Sequence, residues 1–193
     1  MLVAALLLMI GSVASAHEMP GPYDFPVPTA EQFEEALEIY EQSFVARQLR
    51  AAVVDVHAST AELNDIDVAL AAGYAQSGEC ISYAEGAKGI LFANEALIAD
   101  PSLDPSRPEL LMYEPQAGGG LRFVGLTYLV SQQAWHEAGN REAPRLFRQQ
   151  FYLNETLSDE PVYALHFWIG QFNPQGLFAT LNPLVSCAAA GRD

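Results

Sequence analysis

Two rhythms divide the chain. Up to about residue 72, apolar positions recur every three or four residues. From Cys80 on they come in short runs or alternate, the spacing of strands. Phe33, Ala36, Leu37, Tyr40 and Phe44 fall on one helical face. Thr29 stands before Gln32 with capping-box spacing. Glu31, Glu34 and Glu35 near the start, with Arg47 and Arg50 near the end, complement a helix dipole. This pattern predicts a first helix over about 30–50. A second is expected from about Asn64 to Ala72, lined by Ile66, Ala69 and Leu70 and capped by Gly73. His57 falls between the two helices or at the tail of the first.

Four strands are expected in the second part: Gly89 to Asn94, Glu109 to Glu114, Leu121 to Val130 and Val162 to Ile169. The second and third flank Pro115-Gln-Ala-Gly-Gly-Gly120, which reads as a hairpin with a loose loop. Trp135 to Ala138 suggests a short helical turn. Asn173-Pro174 and Asn182-Pro183 shape the closing loops, because proline fixes the backbone and asparagine caps turns. Tyr74, Tyr83, Phe92, Tyr113, Tyr128, Phe167 and Trp168 are the expected aromatic core. Helices first and antiparallel strands after argue for one α+β domain over residues 30–187. Two N-terminal helices would pack on an antiparallel sheet of at least four strands. Residues 17–29, rich in proline, form an extended leader, and 188–193 a tail.

Composition adds where the protein resides. With 193 residues, half of them hydrophobic, the chain can bury a real core. Its net charge is -15, with Lys88 the one lysine beside eight arginines. Such acidity argues against nucleic acid and against anionic membrane surfaces. Residues 1–16, MLVAALLLMIGSVASA, resemble a secretory signal. Leu2 to Ile10 is the apolar stretch and Ala14-Ser15-Ala16 has the small-x-small form of a cleavage site. No positive charge precedes the apolar stretch. The run is shorter than the roughly 20 residues of a membrane span. The expected mature protein is soluble and extracellular or periplasmic. In that setting Cys80 and Cys187 form the one possible disulfide. Closing so long a loop is worth about 4–5 kcal/mol by chain entropy. A redox or nucleophilic cysteine is the alternative.

Several kinds of chemistry leave no trace. Residues 118–125 lack both the phosphate-loop ending and dinucleotide spacing. There is no Gly-x-Ser-x-Gly elbow, no Cys-x-x-Cys and no His-Glu-x-x-His. Asn154-Glu155-Thr156 is a glycosylation sequon without further support. What remains are ionisable residues where strands should be buried. His166 alternates with Val162, Ala164 and Trp168, and Glu114 with Leu110 and Met112. A carboxylate in such company needs a partner. A His-Glu pair would bind a transition metal or serve as general acid and base. The plainer alternative is a core histidine with one hydrogen bond and a Glu114 in water at a strand end. His136 and Glu137 read as exposed turn, and His57 as helix surface.

From about Asn64 to Cys187 the chain resembles a family of small, uncharacterised, exported and mostly bacterial proteins. The stretches that carry the likeness are GAKGILFANEAL, RPELLMYEP, FVGLTYLV, APRLFRQQF and YALHFWIGQFNPQGLFATLNPLVSC. The resemblance implies a fold and no named reaction. It also implies four site positions on adjacent strands, His, Glu, Glu and His, which would converge on one sheet face as metal ligands. This chain keeps Glu114 and His166 but has Leu91 and Thr127 at the other two. Two tryptophan positions are changed as well, to Gly170 and Leu181. A metal site of that kind would be at best half present here.

A rival site is His17. Cleavage after Ala16 would make it the first residue, able to hold copper through its amine and ring. Such a brace resembles that of copper oxidases acting on polysaccharides, but the expected fold is not their β-sandwich. Two function classes follow. One is a non-catalytic binding protein holding a small ligand or metal near Glu114 and His166. The other is a secreted metal-dependent enzyme, a hydrolase or copper oxidase. The loss of ligand types at Leu91 and Thr127 favours the first.

Overall fold

The runs Leu110–Pro115 and Val162–Phe167 carry almost no polar residue, because both faces of the sheet they build are covered. Every residue of both strands is buried. In the computed structural model, residues 44–155 and 160–190 are described, with side chains from residue 48. The expected signal, the leader with His17, most of the first helix and the last three residues lie outside them.

Helix α1 (Phe44–Thr60) leads through a 3-10 turn (Ala61–Asn64) into α2 (Ile66–Ala71). Ten strands follow or intervene: β1 (Ala75–Gln76), β2 (Ser82–Tyr83), β3 (Gly86–Ala87), β4 (Ile90–Ala93), β5 (Leu110–Pro115), β6 (Leu121–Ser131), β7 (Arg145–Leu146), β8 (Gln149–Gln150), β9 (Tyr152–Asn154) and β10 (Val162–Phe167). Short helices α3 (Glu95–Ile98) and α4 (Gln132–Glu137) sit in the connections. Six strands form one sheet in the order β1-β4-β5-β6-β10-β9, with every pair antiparallel. The protein is thus α+β, with the four expected strands adjacent at its centre. The register shifts between Met112 and Tyr113, so β6 carries one extra residue there.

Alternation sends side chains to two faces. On one, Phe92, Leu111, Tyr113, Leu126, Tyr128, Leu165 and Phe167 meet Val56 of α1 and Ala69 of α2. Tyr113 donates its hydroxyl to the carbonyl of Leu63, tying sheet to helices. This is the helix face. On the other, Ala93, Leu110, Leu129 and Val162 form one apolar cluster. Met112, Val124, Trp168, Ala87 and Val185 form a second. Chain from the C-terminal segment covers it.

Several expectations change in detail. α1 runs on to Thr60, so Arg47 and Arg50 do not mark its end, while His57 sits in its last turn, at the tail as expected. Val53 and Val56 dock on the sheet, and that packing outweighs the modest helix propensity of valine. In α2 the buried residue is Ala69, while Leu70 is 48% exposed. Gly73 does end that helix, with φ +94°. Tyr83 is 54% exposed and belongs to no core, whereas the other six named aromatics are buried.

The disulfide joins Cys80 to Cys187 across 107 residues, with 5.4 Å between the Cα atoms. Among the described residues there is no free cysteine. No described helix is long and apolar enough to cross a membrane. Asn173 and Asn182 each accept a backbone N–H two residues on, from Gln175 and Leu184. Their amides donate back to the carbonyls of Leu181 and Phe172. The two Asn-Pro turns are therefore braced against each other.

Candidate functional site

Leu91, Glu114, Thr127 and His166 share the face opposite the helices. Leu91 stands across from Met112, Met112 from Gly125, and Thr127 from His166. The common face does not make them one cluster. His166 lies in the cross-strand row of Thr127 and Leu110. Glu114 is four residues further along β5, about 13 Å at roughly 3.3 Å per residue. Met112, Val124 and Trp168 fill the interval. Among the described residues no three His, Cys, Asp or Glu side chains come together.

Each of the two has partners of its own. Glu114, only 6% exposed, accepts from the Ser186 N–H at 2.8 Å through Oε1. Its Oε2 accepts from Arg122 Nε at 3.0 Å, from Arg122 Nη2 and from Gln116 Nε2. Arg122 is the cross-strand neighbour of Glu114. The carboxylate thus fastens the C-terminal segment to the hairpin. A buried carboxylate satisfied in this way holds structure together.

His166 is fully buried and heads a polar chain. Its Nδ1 is 2.6 Å from Thr127 Oγ1 and its Nε2 is 2.7 Å from the Tyr152 hydroxyl. Tyr152 in turn hydrogen-bonds the Asn154 side chain. Burial pushes the imidazole pKa down to about 3, and the positive charge of Lys88 pushes the same way. The ring is therefore neutral at any physiological pH, with both nitrogens engaged. Position 127 suits a hydroxyl here, since it is fully buried directly opposite the ring.

The chain of hydrogen bonds ends at a cavity. Asn154, from β9, lines it together with Leu91 of β4 and Ser77, Glu79, Tyr83 and Lys88 of the intervening segment. Its volume is about 240 Å³. The wall contributed by residues 77–89 is held down at several points. Ser77 N–H donates to the carbonyl of Leu91, and Cys80 is disulfide-bonded. Ala87 and Asn182 exchange backbone hydrogen bonds at 3.1 Å in both directions. Two glycines permit this. A Cβ on Gly86 would come within 2.4 Å of the Asn182 backbone, and one on Gly89 within 2.4 Å of the Tyr113 carbonyl. Both residues also have positive φ.

Two larger clefts, of about 410 and 550 Å³, open beside Arg122 and beside the disulfide. Neither reaches the His166 chain, and the arginine of the first is already paired to Glu114. His57 lines the first. His136 is exposed, contacting the Asn140 carbonyl at 2.8 Å and the Tyr163 hydroxyl at 3.0 Å.

Sequence reasoning passed over three residues. Lys88 entered only as a charge and Asn154 only as a sequon, because the segment that brings them together has no periodicity. Glu109 entered only as a strand end. It is 1% exposed and accepts the Leu129 N–H at 2.9 Å. Its pKa is raised to about 7, chiefly by burial, against the effect of backbone hydrogen bonds from Leu129 and its own N–H. The charges of Asp100 and Asp104 add to the rise.

At Gly170, where the resemblance places a tryptophan, an added Cβ would lie 2.7 Å from the Phe123 carbonyl oxygen. A tryptophan there requires a different backbone path. Comparison with protein-family models, with curated proteins and with solved structures finds no match for the chain.

Proposed function

We propose that the protein is an exported, non-catalytic binding protein whose small organic ligand occupies the cavity between residues 77–89 and the sheet. The observation that carries this reading is the composition of the cavity wall. One side supplies Lys88, and the other supplies Asn154 at the end of the Thr127–His166–Tyr152 chain. Ile81 and Leu91 add apolar surface beside these convergent polar groups, a mixture that suits a small polar organic molecule. A metal ion suits this wall less well, because Lys88 repels cations and His166 has no nitrogen to spare. The disulfide and the signal-like residues 1–16 support export. The likeness to small exported proteins points the same way.

Thermal melts against a panel of small organic acids, aldehydes and ketones test the reading. A ligand present at about 100 times its Kd adds about 2.7 kcal/mol of stability. Leu91→Trp, which fills the cavity, should abolish any such shift. Equal shifts in the variant and the natural protein would place the ligand elsewhere and overturn the assignment.

A further inference from the structure

We propose that Lys88 is a nucleophilic amine which captures a small aldehyde or ketone in this cavity as a reversible imine, an inference that rests on the ligand-binding reading above. Lys88 is the only lysine in a chain of net charge -15, yet it is half-buried rather than spread on the surface. No hydrogen bond or ion pair to it occurs among the described residues. Glu79 lines the same cavity without pairing to it. The backbone at Lys88 is fixed by its neighbours, since Gly86 and Gly89 press against Asn182 and Tyr113. Lys88 thus lines the cavity from an anchored segment between β3 and β4.

Burial lowers the Lys88 pKa, and no carboxylate offsets the effect. A larger share of free amine at neutral pH is the usual route to a reactive lysine. The capture balances without a redox partner. The nitrogen lone pair attacks the carbonyl carbon, and the π pair moves to oxygen, which takes up a proton. The carbinolamine then loses that oxygen as water and the nitrogen loses its remaining proton to solvent, leaving C=N. Amine and carbonyl give imine and one water. Tyr83 lines the cavity with a hydroxyl and is partly solvated, so protons reach the leaving oxygen. At about 240 Å³ the cavity equals about eight waters of liquid, at roughly 30 Å³ each, which limits the carbonyl to a small one.

A single lysine makes the test clean. The full-length secreted protein is treated with butanal and cyanoborohydride near neutral pH, then digested and weighed by mass spectrometry. Cyanoborohydride supplies the hydride that fixes any imine as a secondary amine. The chain offers two amines, Lys88 and the α-amino group. An ordinary lysine is about 2 to 3 pKa units more basic than an α-amine, so it should lag at least about tenfold. In the folded protein Lys88 should lag the α-amine by less than it does in the reduced, unfolded chain. Leu91→Trp should suppress labelling of Lys88 and leave the α-amine unchanged. A Lys88 that lags in the folded protein as it does in the unfolded one would overturn the reactive amine and leave the cavity to be judged by its melts. Fast labelling that Leu91→Trp does not alter would remove the cavity, and both readings with it.

Discussion

Replacing Glu109 by glutamine should change how stability depends on pH more than stability itself. The carboxyl ionises near its ordinary 4.5 in the unfolded chain and at about 7 in the folded protein. Below the first value both states hold the proton and the group is neutral in its effect. Between the two values the unfolded chain has released the proton while the folded protein keeps it. Each pH unit then removes about 1.4 kcal/mol of stability. Above the folded value the loss is complete, at about 3 kcal/mol. Glutamine keeps an acceptor for the Leu129 N–H and never ionises, so E109Q escapes this loss. His166 acts in the opposite sense over part of the same range, which flattens the curve of the natural protein. The difference between natural protein and E109Q isolates the carboxyl. Guanidinium unfolding with the disulfide intact, at a series of pH values from about 4 to about 8, measures it. E109Q should gain about 3 kcal/mol relative to the natural protein across that range, nearly all of it between 4.5 and 7. A constant difference at every pH would show that Glu109 titrates normally, and the account of its burial would fail.

Two further outcomes follow from the same physics. His166→Leu strands the buried Thr127 hydroxyl and removes one partner of the half-buried Tyr152 hydroxyl, which should cost about 1–3 kcal/mol, read in the same unfolding assay. The folded imidazole refuses a proton until about pH 3, against 6.5 when unfolded, so the natural protein should lose stability as pH falls between those values. His166→Leu should lose that dependence, and its persistence would exclude His166 as the source. Cys80→Ser with Cys187→Ser should lower stability by about 4–5 kcal/mol, with loop entropy the larger part. An unchanged denaturation midpoint would mean that residual structure already restricts the unfolded chain without the bond.

The central strands were legible because their pattern is set by burial. β5 and β10 lie under cover on both faces, so their apolar runs had to be nearly continuous. The hairpin was legible from its glycines. The edge strand β9 was not, since Tyr152-Leu-Asn154 has too few residues to display a period. β1, β2, β3, β7 and β8 escaped for the same reason. Of the candidate site, His166 stood out because a polar residue interrupts an apolar run. Its partner Thr127 and the second-nearest strand residue Tyr152 gave no such signal. A hydroxyl in a strand is ordinary, and only the register places it opposite the ring. Glu114 was singled out for the same contrast as His166, but its partner proved to be Arg122 across the hairpin and the backbone of Ser186.

The position of the two cysteines has a mechanical consequence. The ring they close contains β2 to β10 with α3 and α4, while β1, α1 and α2 lie outside it. Tension applied at the two ends of the chain reaches Cys80 and Cys187 and passes directly between them. Residues before Cys80 can be drawn out and β1 peeled from β4. The central strands bear none of the load until the bond is reduced. A reductant would thus change the response of the protein to pulling more than it changes its resting fold.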